Sequence, residues 1–201
     1  MVSGLTREAM EEVITFLSKA ADAISNAEKE KLLEKLLEAY RAGSKVFVVG
    51  AGRTGLVMKS FALRLMHLGY PVFVFGETLV PSARKGDLLL AASGSGRTRL
   101  VVTIAEAARG VGVTVVGFTS YPDSPLAKLS DLVVRIPGRT KMAENEDYFV
   151  RQVLGQHEPL TPLGTLFEIT LMVFLDGLVV ELMNKLGKTE EDLRSAHANI
   201  E

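Results

Sequence analysis

Two glycine- and hydroxyl-rich turns do most to constrain the fold of this chain. The first spans residues 50–55 (GAGRTG) and the second spans residues 93–98 (SGSGRT). Each follows an apolar run of strand type and precedes a helical pattern. Glycine lets the backbone turn tightly and approach a ligand, and the free amides at a helix start favour an anion. Two such turns, the second rich in hydroxyls, predict a site for a phosphorylated small molecule.

Strand-type and helical patterns alternate through the middle of the chain. The strand runs are nearly continuous in apolar residues, which is typical of parallel strands covered on both faces. They lie at 45–49, 71–75, 87–92, 113–118 and 131–136, with helices predicted at 54–67, 98–110 and 124–129. We therefore expect an α/β, three-layer sandwich of flavodoxin type, with a five-stranded parallel sheet of order 2-1-3-4-5. In that order, both turns face one crevice at the carboxyl ends of the strands.

Helical patterns flank this core on both sides. Apolar spacing over residues 6–41 predicts two helices broken near Ser25-Asn26, and a long apolar helix begins at Pro162. Residues 137–160 are polar and irregular. We expect one domain over residues 1–201: N-terminal helices over 1–42, the αβ core over 45–136 and C-terminal helices over 161–201.

Composition excludes several classes of function. The net charge of −1 gives no footprint for nucleic acid or a membrane surface, and the absence of cysteine excludes thiolate catalysis and disulfides. The apolar stretch at 163–186 is interrupted by three acids, which argues against a membrane span. Its continuous apolar surface instead needs burial all round, so we expect a homo-oligomer. The polar, acidic N-terminus shows no secretory signal, which indicates a cytoplasmic protein.

Two other phosphate-binding patterns are weaker alternatives. The first turn carries the three glycines of the dinucleotide fingerprint, Gly50, Gly52 and Gly55, and Glu77 is the acid that would then bind a ribose. A nicotinamide-binding function therefore stays an alternative. The chain has no complete G-x-x-x-x-G-K-[ST] loop, which argues against a nucleoside triphosphatase.

Six segments together resemble a known family. They are VGAGRTG at 49–55, RLMHLG at 64–69, GET at 76–78, SGSG at 93–96, PLGTLFE at 162–168 and DLRSAH at 192–197. The chain resembles the sugar-isomerase (SIS) family over essentially its whole length, and within it the 6-phospho-3-hexuloisomerases. One departure is Arg97, because such turns usually carry an acidic residue there.

This resemblance implies a reaction and an assembly. The reaction interconverts D-arabino-hex-3-ulose 6-phosphate and D-fructose 6-phosphate through a cis-enediol, as in the ribulose monophosphate pathway of formaldehyde assimilation. It requires no cofactor and no metal. The expected partners are the sugar phosphate and further copies of the chain, as a homotetramer or dimer, with functional coupling to a hexulose-phosphate synthase.

The two turns supply the candidate substrate-binding residues. The hydroxyls of Ser93, Ser95 and Thr98 can donate to phosphate oxygens, and Gly94 brings the backbone close.

The first turn adds Gly52, Arg53 and Thr54. Arg53 can bind phosphate bidentately or pair with an acid of its own subunit, and Thr54 can cap the helix or bind a sugar hydroxyl.

Glu168 is the candidate catalytic base. We place it in the second turn of the apolar helix, where burial would raise the pKa of its carboxyl toward the range useful for proton abstraction. The alternative is a buried glutamate that only pairs with an arginine. The resemblance favours catalysis, since the equivalent helix of SIS isomerases carries a catalytic glutamate.

Of the three histidines, only His197 is expected to be catalytic. A lone histidine near a terminus is usually a surface residue, but in related isomerases a C-terminal histidine reaches a neighbouring subunit's site and assists ring opening. We expect His67 to lie in the core or an interface and His157 to lie near the site, and we give neither a role.

Two further functions stay open. An isomerase of another sugar phosphate, such as arabinose 5-phosphate, would keep the whole constellation. A non-catalytic sugar-phosphate-binding SIS module could lose Glu168 and His197, and both are present here.

Overall fold

The computed structural model describes residues 2–138 and 160–197. Within these ranges the elements alternate through the centre of the chain, with helices at both ends. In order they are α1 (Leu5–Ala23), α2 (Asn26–Ala42), β1 (Val46–Val49), α3 (Gly52–His67), β2 (Val72–Val74), β3 (Leu88–Ala92), α4 (Arg99–Gly110), β4 (Thr114–Thr119), α5 (Pro125–Leu129), β5 (Leu132–Arg135), α6 (Thr165–Leu186) and α7 (Glu190–Ser195).

The five strands form one parallel sheet of order β2-β1-β3-β4-β5, which confirms the predicted topology. Val46 on β1 pairs with Val72 on β2 and with Leu88 on β3. Because β1 and β3 are adjacent, the two glycine turns that follow them lie next to each other at the carboxyl edge.

Alternating side chains of each strand enter two separate hydrophobic layers. On one face, Val46, Val48 and Leu90 pack with α2, α3 and α6. On the other face, Phe47 and Leu89 pack with α4 and α5. Helices on both faces give the expected three-layer sandwich, and β1 and β3 are fully buried, as continuous apolar runs predict.

The predicted helix limits are close, with one difference that matters for the site. The last long helix begins at Thr165 and not at Pro162, because Gly164 adopts φ of 94° as its N-cap. A left-handed backbone cannot continue a right-handed helix. Glu168 therefore lies in the first turn of α6 and not in the second, as the sequence pattern had suggested.

The N-terminal helices break where the sequence predicted. Helix α1 ends at Ala23, and the Ser25 side chain accepts a hydrogen bond from the Glu28 backbone N–H to cap α2.

Several large apolar side chains stay exposed on three helices. They are Leu5, Met10 and Ile14 on α1, Leu56, Leu63 and Met66 on α3, and Met172, Val173 and Val180 on α6. Helix α6 is buried along its other side by Leu171, Leu175 and Leu178. The sequence predicted that α6 is apolar on all sides. In this single chain, one face of α6 is buried in the core and the other apolar face is exposed to solvent.

Some predictions fall outside the described ranges. His157 and most of the irregular 137–160 segment lie there, and the single-domain assignment over 1–201 stays a prediction. Over residues 2–138 and 160–197, no helix is long and apolar enough to cross a membrane.

Candidate active site

A cleft of about 230 Å³ lies at the carboxyl edge of β1 and β3. Its walls come from the starts of three helices, since Thr54 is in the first turn of α3, Thr98 is the N-cap of α4 and Gly164 is the N-cap of α6. The lining residues are Thr54, Gly94, Ser95, Thr98, Leu163, Gly164, Phe167 and Glu168. Three helix N-termini at one cleft create a positive local field suited to an anion.

The first turn is closed by direct backbone contact. A Cβ placed on Gly50 would lie 2.9 Å from the Gly55 backbone nitrogen, and one on Gly55 would lie 2.9 Å from the Gly50 carbonyl oxygen. These two glycines let the chain leave β1 and enter α3 within a few residues, and Gly52 becomes the first residue of α3. The turn therefore fixes the position of Thr54 and Arg53.

The second turn is held by hydroxyl and carbonyl contacts. The Ser93 and Thr98 hydroxyl oxygens are 2.8 Å apart, and Ser93 is buried beneath the cleft. The Gly94 carbonyl accepts hydrogen bonds from the Thr119 hydroxyl and the Ser120 backbone N–H. The Ser95 hydroxyl oxygen accepts the Arg97 backbone N–H at 3.2 Å, and its own proton has no acceptor among the described residues, so that proton is available to a ligand.

Glu168 faces both turns from the start of α6. Its side chain is 13% exposed, its Oε1 is 3.5 Å from the Thr54 hydroxyl, and its Oε2 is 3.3 Å from an Arg53 guanidinium nitrogen. The Oε2 atom is buried and accepts no hydrogen bond from any described residue. Burial raises the pKa of the Glu168 carboxyl above its ordinary value of 4.5, while Arg53 and Thr54 partly oppose the rise. An under-solvated carboxylate of this kind can accept a proton from carbon.

Arg53 pairs with Glu168 in its own subunit, which is one of the two alternatives that the sequence left open. Its guanidinium also donates to the Thr165 hydroxyl at 3.3 Å. The side chain is 60% exposed, and it lines a neighbouring cavity of about 220 Å³ together with Glu168. The phosphate contact of Arg53 stays a prediction, because its charge is at present directed to a carboxylate.

One supporting residue was not found from the sequence. Glu12 on α1 accepts hydrogen bonds from the Leu160 backbone N–H and the Thr161 hydroxyl, at 2.6 and 2.9 Å. It thereby holds the segment that leads into Gly164 and Glu168. No local pattern distinguishes Glu12 from the other acids of α1, because the contact joins residues about 150 positions apart.

His197 does not lie in the cleft of its own chain. Its ring packs on His67, with 4.0 Å between ring centroids, at the far end of α3. His67 is thirteen positions beyond Thr54 on the same helix, a distance of about 20 Å at 1.5 Å per residue. The structure thus brings together Glu168, Thr54 and the second turn, but leaves His197 apart from them.

The remaining charged residues near the turns have other partners. Glu77, the acid required by a dinucleotide-binding function, forms an ion pair with Lys59 on α3. Among the described residues, no group of three or more His, Asp or Glu side chains is arranged to hold a metal ion.

Comparisons with known proteins agree with this geometry. The sequence of residues 39–149 matches the SIS domain family. A Mycobacterium gastri protein named 3-hexulose-6-phosphate isomerase is 40% identical over 91% of this chain and 86% of its own length. A Bacillus subtilis protein of the same name is 37% identical over 98% of this chain and 99% of its own.

A solved structure extends the similarity to the fold. A Methanococcus jannaschii crystal structure, for which a function of 3-hexulose-6-phosphate isomerase was inferred, superposes with a TM-score of 0.74. It is 28% identical and covers 96% of this chain and 97% of its own. The two turns, the sheet order and these similarities together place the chain in the SIS domain family.

Proposed function

We propose that this protein is a 3-hexulose-6-phosphate isomerase, which interconverts D-arabino-hex-3-ulose 6-phosphate and D-fructose 6-phosphate. One observation carries the proposal: a buried carboxylate with a raised pKa, Glu168, lines the same cleft as the hydroxyl-rich turn. The relatives named for this activity support the choice of substrate.

Glu168 is the proposed general base. It removes the proton on C2 of the hex-3-ulose, which gives a cis-enediol, and it returns the proton to C3, while the hydroxyl proton moves from O2 to O3. The carbonyl thereby moves from C3 to C2 with no net gain or loss of electrons. The raised pKa of the Glu168 carboxyl suits both steps, because the group must accept and then release one proton.

The second turn is the proposed phosphate site. Ser95 and Thr98 offer hydroxyl donors, Gly94 lets the backbone approach, and Ser93 holds Thr98 in place through their 2.8 Å contact. The N-terminus of α4 adds a favourable field for the phosphate.

The first turn is proposed to serve the reacting carbons. Thr54 contacts Glu168 Oε1 and lies on the cleft wall, where its hydroxyl can bind a sugar hydroxyl. Arg53 keeps the carboxylate oriented through its ion pair, and Gly52 begins α3 with a positive φ of 56°, a conformation that favours glycine.

We propose that His197 acts in the cleft of a neighbouring subunit. It is exposed, and about 20 Å of helix separates its partner ring, His67, from its own cleft. There it would assist ring opening of fructose 6-phosphate, which is mostly cyclic, whereas the C6 oxygen of the hex-3-ulose is esterified and cannot close a ring easily.

This role requires a homo-oligomer, which we propose to be a tetramer or a dimer. The exposed apolar side chains on α1, α3 and α6 support self-association, because such faces are unfavourable in water. We also propose a cytoplasmic location, a place in formaldehyde assimilation and functional coupling to a hexulose-phosphate synthase, which makes the substrate. The cysteine-free composition is compatible with a reducing compartment.

The decisive experiment measures fructose 6-phosphate formation from enzymatically made hexulose phosphate, together with hydrogen exchange into solvent D₂O. Glu168→Gln keeps the shape of the side chain but cannot accept the C2 proton. We expect it to lower kcat by about 10²- to 10⁴-fold with substrate binding retained. The matched control is Glu181→Gln, which changes a carboxylate of the same helix outside the cleft and should keep wild-type exchange. Full exchange in Glu168→Gln would contradict the base assignment.

The same assay separates the two alternatives. Turnover of arabinose 5-phosphate in preference to the hexulose phosphate would make this an isomerase of the other sugar. Binding of fructose 6-phosphate without turnover or exchange of either sugar would make it a binding module.

Mixed oligomers test whether the His197 that acts in a cleft comes from the neighbouring subunit. Subunits carrying Glu168→Gln are combined with subunits carrying His197→Ala by co-expression. If His197 acts across an interface, some mixed interfaces hold an intact Glu168 and an intact partner histidine, so conversion that starts from fructose 6-phosphate, the direction that needs ring opening, reappears. No recovery in verified mixed oligomers, or a monomeric mass by light scattering at micromolar concentration, would overturn this part of the proposal.

A further inference from the structure

Two histidines meet at the C-terminus of α3, and the reaction proposed above uses only one of them, His197. His67 is the last residue of α3 and is 5% exposed, whereas His197 follows α7 and is exposed. Their ring centroids lie 4.0 Å apart with the ring planes inclined by 40°. The described part of the chain contains two histidines, and they are in contact with each other.

A histidine at position 67 does not benefit the stability of the fold. Its Nδ1 atom is buried and has no hydrogen-bond partner within residues 2–138 and 160–197. Burial lowers the pKa of His67 below 6.5, and the neighbouring His197 and Arg64 lower it further. A leucine would avoid the cost of an unpaired buried nitrogen, but it would give the His197 imidazole no flat ring to pack on. A residue that is unfavourable for packing is expected where it serves a site.

We propose that His67 is the positioning residue of His197: its buried ring is the surface on which the His197 imidazole is held for delivery to a neighbouring subunit. This inference rests on the proposed function, and within it on the role of His197.

The elements around the pair are built to hold this contact. Helix α7 has six residues and is closed by a capping box between Thr189 and Asp192. Its one buried side chain, Leu193, enters the main core. From Leu193 the chain needs only four residues to reach His197, and the His197 backbone N–H donates to the Arg194 carbonyl at 3.2 Å. The backbone is thus fixed up to His197, and His67 fixes the ring.

The apolar side chains next to the pair indicate where it is used. Leu63 and Met66 are exposed on α3, one turn before and directly before His67. A face that combines exposed apolar groups with an oriented imidazole suits contact with another subunit of this chain. His197 would then enter that subunit's cleft with its orientation already set, so that less conformational entropy is lost on binding.

The first test examines the contact without any activity. The chain has three histidines, so the ring signals of ¹³C-labelled histidine in the oligomer are assigned by single substitutions. In the wild type, we expect the His197 signal to be shifted by the His67 ring. His67→Ala should move it toward the position of a free, solvated histidine. An unchanged His197 signal in His67→Ala overturns the inference.

The second test is a double-mutant cycle on kcat from fructose 6-phosphate. His67→Ala should lower kcat as much as His197→Ala does, with KM little changed. The double variant should be no worse than His197→Ala to within about twofold, the usual limit of additivity errors. His67→Phe keeps a ring at this position and should recover most of the kcat that His67→Ala loses.

Met58→Ala is the matched control, since Met58 is also buried on α3 but lies nine residues from His67. It should change kcat by the same factor in the wild-type and His197→Ala backgrounds. Independent, multiplicative effects of His67→Ala and His197→Ala would overturn the positioning role alone. A wild-type kcat in His197→Ala would overturn the role of His197 in the proposed function, and the positioning role with it, while the ring signals still report the contact.

Discussion

The two glycine turns lie side by side in the sheet, yet they are held by different means. In the first, Gly50 and Gly55 pack backbone against backbone with no room for a Cβ. In the second, Ser93 and Thr98 pair their hydroxyls, and Ser95 lines the cleft with a hydroxyl proton that has no acceptor in the described part of the chain. The first turn therefore sets distances between strand, helix and Glu168, whereas the second offers groups to a ligand.

This difference predicts separate consequences of substitution. Changes at the glycines of the first turn should act on folding, and changes at the hydroxyls of the second turn should act on binding. Thr54 and Glu168 lie between the two, since they contact each other in the shared cleft.

The largest effect on stability is expected from Gly50→Ala or Gly55→Ala. Each adds a methyl group 2.9 Å from backbone atoms, which cannot move aside as a side-chain end can. The free energy of unfolding should fall by about 1–3 kcal/mol or more, measured by urea unfolding. Gly110→Ala on α4 is the control, because a Cβ there meets nothing within 4 Å, and it should be neutral or stabilising. Equal stability of Gly55→Ala and Gly110→Ala would contradict the structural role of the first turn.

A large effect on binding, with stability unchanged, is expected from Ser95→Ala. A hydrogen bond to a charged group contributes about 1.5–3 kcal/mol, or roughly 10- to 150-fold in KM. Ser18→Ala, at an exposed position of α1, supplies a control with the same chemical change. If KM and kcat of a folded Ser95→Ala variant match those of the wild type, Ser95 does not contact the phosphate.

A smaller change is expected from Thr54→Val, which removes one hydrogen bond and keeps the volume. Loss of the Thr54 donor should raise the pKa of the Glu168 carboxyl further and shift the acid limb of the pH–rate profile to higher pH. We expect kcat/KM at neutral pH to fall by about two- to tenfold. Thr103→Val, on the exposed side of α4, should leave the profile in place. If the acid limb does not shift in Thr54→Val, then Thr54 does not influence the pKa of the catalytic carboxyl.

The smallest effect concerns stability and pH at Glu168. The folded pKa of this carboxyl lies above its ordinary value of 4.5, so its ionisation lowers the free energy of unfolding as pH rises through the window between the two values. Glu168→Gln removes this ionisation. Its Tm should exceed that of the wild type at pH 7, and the difference should shrink as pH falls through the raised pKa and vanish below 4.5. A lower Tm in Glu168→Gln at pH 7 would mean that the ion pair with Arg53 outweighs the burial.

The sequence predicted the sheet because its strands are continuous apolar runs with short, glycine-marked ends. Both turns, the order of strands and the break at Ser25 follow from local chemistry that operates over a few residues. The desolvation of Glu168 also follows, since its neighbours along the helix are apolar.

Contacts between distant residues were harder to predict. The hydrogen bonds of Glu12 to residues 160 and 161, the choice of Glu168 as the partner of Arg53, and the packing of His197 on His67 all depend on tertiary geometry. The start of α6 was misplaced for a related reason. Proline at 162 and glycine at 164 both permit a helix start, and only the observed φ of 94° at Gly164 decides between them.

Helix α3 has one further consequence, which concerns the evolution of this chain. It carries Thr54 near one end and His67 at the other, so its length fixes both their separation and their relative direction. One inserted residue would rotate His67 by about 100° around the helix axis and move it by about 1.5 Å. Substitutions between the two ends can be absorbed one at a time, but an insertion or a deletion would disturb both ends at once. Relatives that catalyse the same reaction should therefore differ in the amino-acid sequence of this helix but not in its length.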